Sequence, residues 1–253
     1  SPTDPAYVSY LLNRAGSANI PTGAAGPGLN YVYTQLRANQ QANYFDFLYI
    51  FAQDNTHNAL LSLFGTYSAT AVNSPAFSSF NGYVGNGTSS YVSLGFASNN
   101  GSNISLNNAC YGIMVLTNVV ESAIDFGSYD AGSTNVIYIA PYTSGSTYCK
   151  IHTSAVAFGD VVTTSAGLTT VLRTVNTSQS TYINGSLIAS HTDVSSALSS
   201  RILYVCGVNG NGTFSNGGTK RMAMVFGSSG SINQAIVSSI LNQYLKFQGT
   251  NVY

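Results

Sequence analysis

Charge is what this chain of 253 residues has least of: eight Lys+Arg and eight Asp+Glu, 6 % in all, where a soluble domain usually has roughly a quarter. The net charge is zero with His neutral, and Glu121 is the only glutamate. A nucleic-acid partner needs a surplus of cations to displace counterions from phosphates, and a polybasic membrane-surface mode needs the same. Both are excluded. Disorder is excluded too, because 44 % of the residues are hydrophobic and 12 % aromatic. Tryptophan is absent, and no apolar run approaches the length of a membrane-spanning helix. The chain begins Ser1-Pro2-Thr3 with no initiator Met and no signal-like apolar stretch, which reads as trimming or proteolytic maturation.

Cysteines are equally sparse. Cys110, Cys149 and Cys206 are odd in number and form no CxxC or Cys/His cluster. They read as three buried small hydrophobes, with one disulfide plus a free thiol as the alternative. What supplies polarity instead is Ser, Thr, Asn, Gln and Gly, alongside 18 Tyr and 12 Phe. A surface so close to neutral favours association over mutual repulsion. It suits extracellular or assembled proteins.

Two textures divide the chain. Residues 1–65 read as a helical and loop lead-in for attachment or oligomerisation. It comprises a short helix over 6–14, a loop over 16–28 broken by Pro21 and Pro27, a second helix over 29–42, a dense apolar run over 45–52 and helical spacing over 56–64 with a cap at 54–56. Residues 66–253 read as one β domain of short runs separated by Gly/Asn/Ser clusters. Strands are expected at 91–96, 111–116, 124–126, 136–140, 148–152, 155–158, 169–176, 179–183, 186–191, 202–208 and 221–226. Asn184-Gly185 between alternating runs predicts a type I′ hairpin turn, since both residues accept positive φ. The end of the chain predicts a helix: Ile232, Ile236, Val237, Ile240, Leu241, Tyr244 and Leu245 form one apolar stripe, with Ser231 and Gln234 spaced as a capping box.

The order of these pieces is also familiar. Asn86-Gly-Thr-Ser-Ser-Tyr-Val-Ser-Leu94 resembles the opening strand of concanavalin A-like (laminin-G-like) jelly rolls, and Ser180-Thr-Tyr-Ile-Asn-Gly-Ser-Leu-Ile-Ala-Ser190 resembles their recurrent Asn-Gly hairpin. Arg221-Met-Ala-Met-Val-Phe-Gly-Ser-Ser-Gly-Ser-Ile232 with the terminal helix is similar to versions in phage tail and other virion proteins, as are Tyr49-Ile-Phe-Ala-Gln-Asp54 and Ala69-Thr-Ala-Val-Asn-Ser-Pro75. The likeness runs over about residues 45–253. It implies a mainly β, concanavalin A-like jelly-roll β-sandwich with an N-terminal helical lead-in and a C-terminal amphipathic helix. It also implies a surface role on a virion (tail, fibre or head decoration), in contact with copies of itself or other virion proteins. Such folds host lectins, glucanases and scaffolds alike, so function must come from side chains.

Enzyme chemistry has little to work with. Glycoside hydrolysis needs two carboxylates flanking the bond, and the nearest match is Glu121-Ser-Ala-Ile-Asp125, or Asp125 with Asp130. Glu121 and Asp125 read rather as a solvated edge or as partners of Arg173 or Lys150. The three histidines, His57, His152 and His191, accompany no Gly-x-Ser-x-Gly elbow, and no nucleotide-binding glycine motif is present. His152 and Cys149 do not form a zinc spacing. No cofactor is expected apart from calcium, because relatives of this fold often hold one; the candidate ligands are Asp125, Asp130 and Asn135. The expectation is therefore a non-enzymatic surface protein, on the virion or extracellular. The alternative is a carbohydrate-binding adhesin or receptor-binding domain facing host glycans through Tyr129, Asp130, Asn209, Asn211 and Phe214, on the loops 98–108, 128–135 and 209–219. A polysaccharide hydrolase is the third reading. Six Asn-x-Ser/Thr triplets, at Asn86, Asn100, Asn103, Asn176, Asn184 and Asn211, are as many as chance gives in this composition.

Overall fold

The structure, a computed structural model, describes residues 16, 21, 25–155, 157–250 and 252–253. The helix expected over 6–14 lies outside the described residues, as does most of the loop over 16–28. The first described helix, α1, is Ala25–Ala38, so Pro27 sits inside a first helical turn, where a missing N–H costs nothing. It opens the helix rather than breaking it.

The apolar run that follows is a strand, β1 (Phe45–Ile50), and not part of a helical lead-in. Phe47, Tyr49 and Phe51 face one apolar cluster while Phe45, Leu48, Ile50 and Ala52 face another. A segment buried on both faces reads as continuous apolar sequence, which periodicity alone does not separate from a helix. Of residues 56–64, only Thr56–Ala59 (α2) is helical, capped by Asn55, whose side chain accepts from Asn58 N.

Short strands follow: β2 (Thr70–Val72), β3 (Ala76–Ser78), β4 (Gly82–Val84), β5 (Tyr91–Ala97), β6 (Ala109–Val115) and β7 (Phe126–Asp130). The hairpin strands β8 (Thr134–Thr143) and β9 (Ser146–Thr153) come next, with β10 (Phe158–Val161), β11 (Gly167–Val175), β12 (Ser178–Ile183) and β13 (Ser186–Thr192). The last are β14 (Ile202–Val205), β15 (Val208–Gly210), β16 (Thr213–Ser215) and β17 (Arg221–Ser228), before the terminal helix α3 (Gln234–Phe247). Asn184 and Gly185, at φ 53° and 82°, make the expected turn between β12 and β13.

The strands form two facing sheets. One runs β13-β12-β11-β6-β17-β4-β3, with β1 paired to β17 beside β4. The other runs β10-β9-β8-β7-β14-β5-β2 and carries the β15–β16 hairpin. Between them lies the larger core, including Tyr111, Ile113, Phe126, Ile137, Ile139 and Ile151. The fold is mainly β, the jelly-roll sandwich that the sequence leads one to expect. A second apolar layer covers the outer face of the first sheet, where Leu29, Val32 and Leu36 of α1 meet Val237, Ile240, Leu241 and Tyr244 of α3. Tyr244 Oη donates to Ala52 O at 2.7 Å and ties α3 to the end of β1. The cap of α3 is Asn233, which accepts from Ile236 N at 3.1 Å, and not the expected Ser231–Gln234 box. Gln234 instead turns inward, accepting from Thr170 Oγ1 and donating to Cys110.

All three cysteines are free and buried. Burial pushes the Cys110 and Cys149 thiols up to about 12, which keeps them protonated and inert. Arg173 and Asp193, both without exposed surface, pair at 2.8 Å, and Arg173 Nη1 also donates to Asp193 O at 2.7 Å.

Candidate functional site

The second sheet turns a set of polar and aromatic side chains outward. In β8, Tyr138 lies between the core residues Ile137 and Ile139; in β9, Tyr148 and Lys150 alternate with Cys149 and Ile151. Antiparallel register sets Tyr138 opposite Lys150 and Ala140 opposite Tyr148. These residues line two cavities of about 220 and 230 Å³ that share Ile124, Tyr138 and Asn216. Tyr148, Thr143 and Ser122 line the first; Tyr129, Ser133 and Lys150 line the second. Together they form one groove.

Close approach to glycine holds its rings in place. A Cβ on Gly159 or Gly210 would collide with the ring of Tyr148 or Tyr129 respectively. Lys150 Nζ lies over the Tyr138 ring, 5.7 Å from its centroid, a cation–π distance. Burial raises the Tyr138 hydroxyl to about 12, helped by the nearby Cys149 and Tyr148, so it stays a donor. Burial also holds the Lys150 ammonium below its ordinary value. No carboxylate lines either cavity, and Lys150 is their one charged residue.

Behind the groove, residues 121–125 are pinned from below. Lys220 Nζ donates to Asp125 Oδ2 at 2.9 Å and to Glu121 Oε1 at 3.0 Å. Thr219 donates to Glu121 through its N–H and its hydroxyl. Lys220 and Asp125 have no exposed side-chain surface. Burial drives the Asp125 carboxyl up to about 7 against the pull of Lys220, and the Glu121 charge adds to the rise. Burial pushes Glu121 the same way, but its bonds to Lys220 and Thr219 outweigh that and leave it below the ordinary glutamate value. These acids are therefore neither a solvated edge nor partners of Arg173 or Lys150. Their cation is Lys220.

The residues singled out from sequence separate into different roles. Tyr129 lines the groove. Asp130 faces the neighbouring loop, where it accepts from Asn135 Nδ2 at 2.9 Å and Ser199 Oγ at 3.1 Å, with Arg201 at 3.6 Å. Asn209 is buried and spends its amide on Ile202 O and Gly212 N, building the β15–β16 turn. Asn211 starts that two-residue turn at φ 51° and is exposed at its tip. Phe214 stacks on Tyr91, which stacks in turn on Tyr204, at centroid distances of 5.0 and 4.2 Å. The calcium candidates do not converge. Asp130 and Asn135 are hydrogen-bonded to each other, but Asp125 precedes β7 and Asp130 ends it, about 16 Å apart at strand rise. Its oxygens also face an ammonium or a dry wall, so the three do not fit one cation. Among the described residues, no three His, Cys, Asp or Glu side chains form a metal-binding group.

The sequence did not single out Tyr138 or Tyr148, offered Lys150 only as a partner for acids, and reached Asn216 only through the loop 209–219. The available signal was the alternation of Tyr and Lys with Ile and Cys in β8 and β9, which marks an outward face.

Solved structures share this fold. A mutant of Trypanosoma rangeli sialidase displaying trans-sialidase activity superposes with a TM-score of 0.57 at 13 % identity, over 86 % of this chain and 39 % of that one. Trypanosoma rangeli sialidase in complex with sialic acid gives 0.55 at 13 % identity, over 78 % and 32 %. The botulinum neurotoxin serotype D binding domain gives 0.54 at 12 % identity, over 82 % and 52 %. This chain thus spans about a third of the sialidases and half of the toxin domain. No protein-family model and no curated protein sequence matches it. At these identities the likeness is one of fold.

Proposed function

We propose that this chain is a non-enzymatic carbohydrate-binding β-sandwich displayed on a virion or other extracellular surface, in contact with copies of itself or other virion proteins. The groove carries this reading. Tyr129, Tyr138 and Tyr148 offer aromatic faces for the C–H faces of sugar rings, and Asn216, Thr143, Ser122 and Ser133 offer hydroxyl and amide partners. Each cavity is of a size to seat one sugar ring. The similar structures support a glycan-facing role, since they include a sialidase solved with sialic acid and a toxin's binding domain. The resemblance to phage virion chains and the scarcity of charge support display in an assembled particle. A hydrolytic role is not favoured, because both acids of the 121–125 segment are tied to Lys220 and neither lines the groove.

The test is a glycan array probed with the full chain and with Tyr138→Ala and Tyr148→Ala. Expected is binding to a definable class of saccharide, weakened about tenfold or more by either substitution, at about 1.4 kcal/mol per tenfold. A blank array, or binding that both variants retain unchanged, overturns the reading.

A further inference from the structure

The triad behind the groove has a chemistry of its own. Of three lysines, Lys246 is exposed and Lys150 half-buried; only Lys220 is sealed, with its amine 2.9 Å from a carboxylate oxygen that is equally sealed. The other oxygen of that carboxylate, Asp125 Oδ1, accepts no hydrogen bond and is packed against Gly218 so closely that a Cβ there would overlap it. The sole glutamate of the chain touches the same amine at 3.0 Å. Burying an ion pair with one oxygen unsatisfied is costly, and amine and carboxyl fixed in contact react as one molecule rather than two.

We propose that Lys220 Nζ and Asp125 Cγ become joined by an intramolecular amide bond, with Glu121 as the proton carrier. Lys220 passes one proton to Asp125, leaving a neutral amine beside a neutral carboxylic acid. Burial raises the Asp125 carboxyl toward its protonated form, which brings the neutral pair within reach. Nζ attacks Cγ and forms the N–C bond while Glu121 takes a proton from the nitrogen. Glu121 then returns that proton to the departing oxygen, the C–O bond breaks, and one water leaves. Ammonium plus carboxylate become amide plus water, with nothing oxidised or reduced and the Glu121 charge restored.

The position gives the bond a purpose. Asp125 immediately precedes β7 of the second sheet, and Lys220 immediately precedes β17 of the first, 95 positions later. The amide would staple the two sheets covalently in a chain whose cysteines are all unpaired.

Intact mass spectrometry of the full chain tests this directly. Expected is a mass one water below that of the sequence, with a protease digest yielding two peptides joined through Asp125 and Lys220. Lys220→Met and Asp125→Ala should keep the full sequence mass. Glu121→Gln, checked for folding by circular dichroism, should form the bond at least about 100-fold more slowly, the usual weight of a positioned proton carrier. A parent chain that stays at full mass through prolonged incubation at neutral pH, or a water loss that maps elsewhere, overturns the proposal. Unchanged kinetics in folded Glu121→Gln overturns the role given to Glu121.

Discussion

Tyr111 of β6 and His152 of β9 join the two sheets through one hydrogen bond, Oη to Nε2, 3.1 Å long. The other ring nitrogen, Nδ1, lies 3.1 Å from Leu106 O, which can only accept. His152 is therefore the neutral tautomer with Nδ1–H donating and Nε2 accepting from the phenol. Its ring has no exposed surface, and its backbone sits at φ 52°.

That geometry makes acid sensitivity calculable. Burial, with the Arg173 charge adding to it, lowers the His152 value from 6.5 to about 4 despite the bond to Leu106. A group depressed on folding contributes stability that is present above its unfolded value and lost as pH falls through the folded one. The loss here amounts to about 3 kcal/mol between pH 6.5 and 4. His152→Asn, which tolerates the positive φ, should be less stable than the parent at pH 7, with the gap closing by pH 4. Urea unfolding at both pH values measures it; a constant gap would sink the assignment.

A second prediction concerns the buried pair Arg173–Asp193. Arg173 also donates to Ile151 O, and Thr153 donates to Asp193 Oδ1, so each charge is held by several partners. Removing one partner strands the other in a dry site. Asp193→Ala should cost about 3–5 kcal/mol. The matched replacement of both residues by apolar ones should cost less, and equal losses from the single and double variants in denaturant titration would contradict this.

Two Asn-Gly turns allow a controlled comparison. Gly185 and Gly212 both have positive φ, at 82° and 96°. A Cβ on Gly185 would lie 2.9 Å from Ala235 Cα in α3, whereas on Gly212 its nearest neighbour is Arg201 Nη1 at 4.0 Å. Gly212→Ala should carry the backbone penalty alone, about 1–2 kcal/mol. Gly185→Ala should exceed it, because α3 must shift. Thermal unfolding of the two variants decides the order.

The charge in the groove sets a fourth expectation. Lys150 is the single ion among the lining residues, so the proposed saccharide should carry a carboxylate. Lys150→Met should lower affinity for a glucuronate-terminated oligosaccharide about tenfold, as loss of a charged hydrogen bond does. Affinity for its methyl ester should hold. Calorimetry with both ligands separates this from the proposal of glycan binding itself: equal loss on both ligands would show that Lys150 does not read the carboxylate but leaves the groove standing.

Local patterns carried much of the fold. Alternation, the Asn184-Gly185 turn and the apolar stripe of α3 each depend on neighbours a few residues away, so they can be read without tertiary knowledge. The strand at Phe45–Ile50 was different, because both its faces are buried and its periodicity vanishes. The site was less legible still. Tyr129 was found because it lies beside a loop of suggestive composition. Asn209 and Phe214 looked equally suitable, yet their side chains are committed to a turn and a ring stack.

Composition alone determined how little charge this chain has to place: sixteen charges among 253 residues, with a single glutamate. Only the tertiary structure decided where the few charges went. Long-range pairing of β17 beside β6 and of β7 beside β8 brings Lys220 to Asp125 across 95 positions. The same sheet register leaves Lys150 facing a groove with no acid in it. A charge is costly to bury without its partner, so its place is set by whichever residue the fold delivers, and spacing along the chain does not record that.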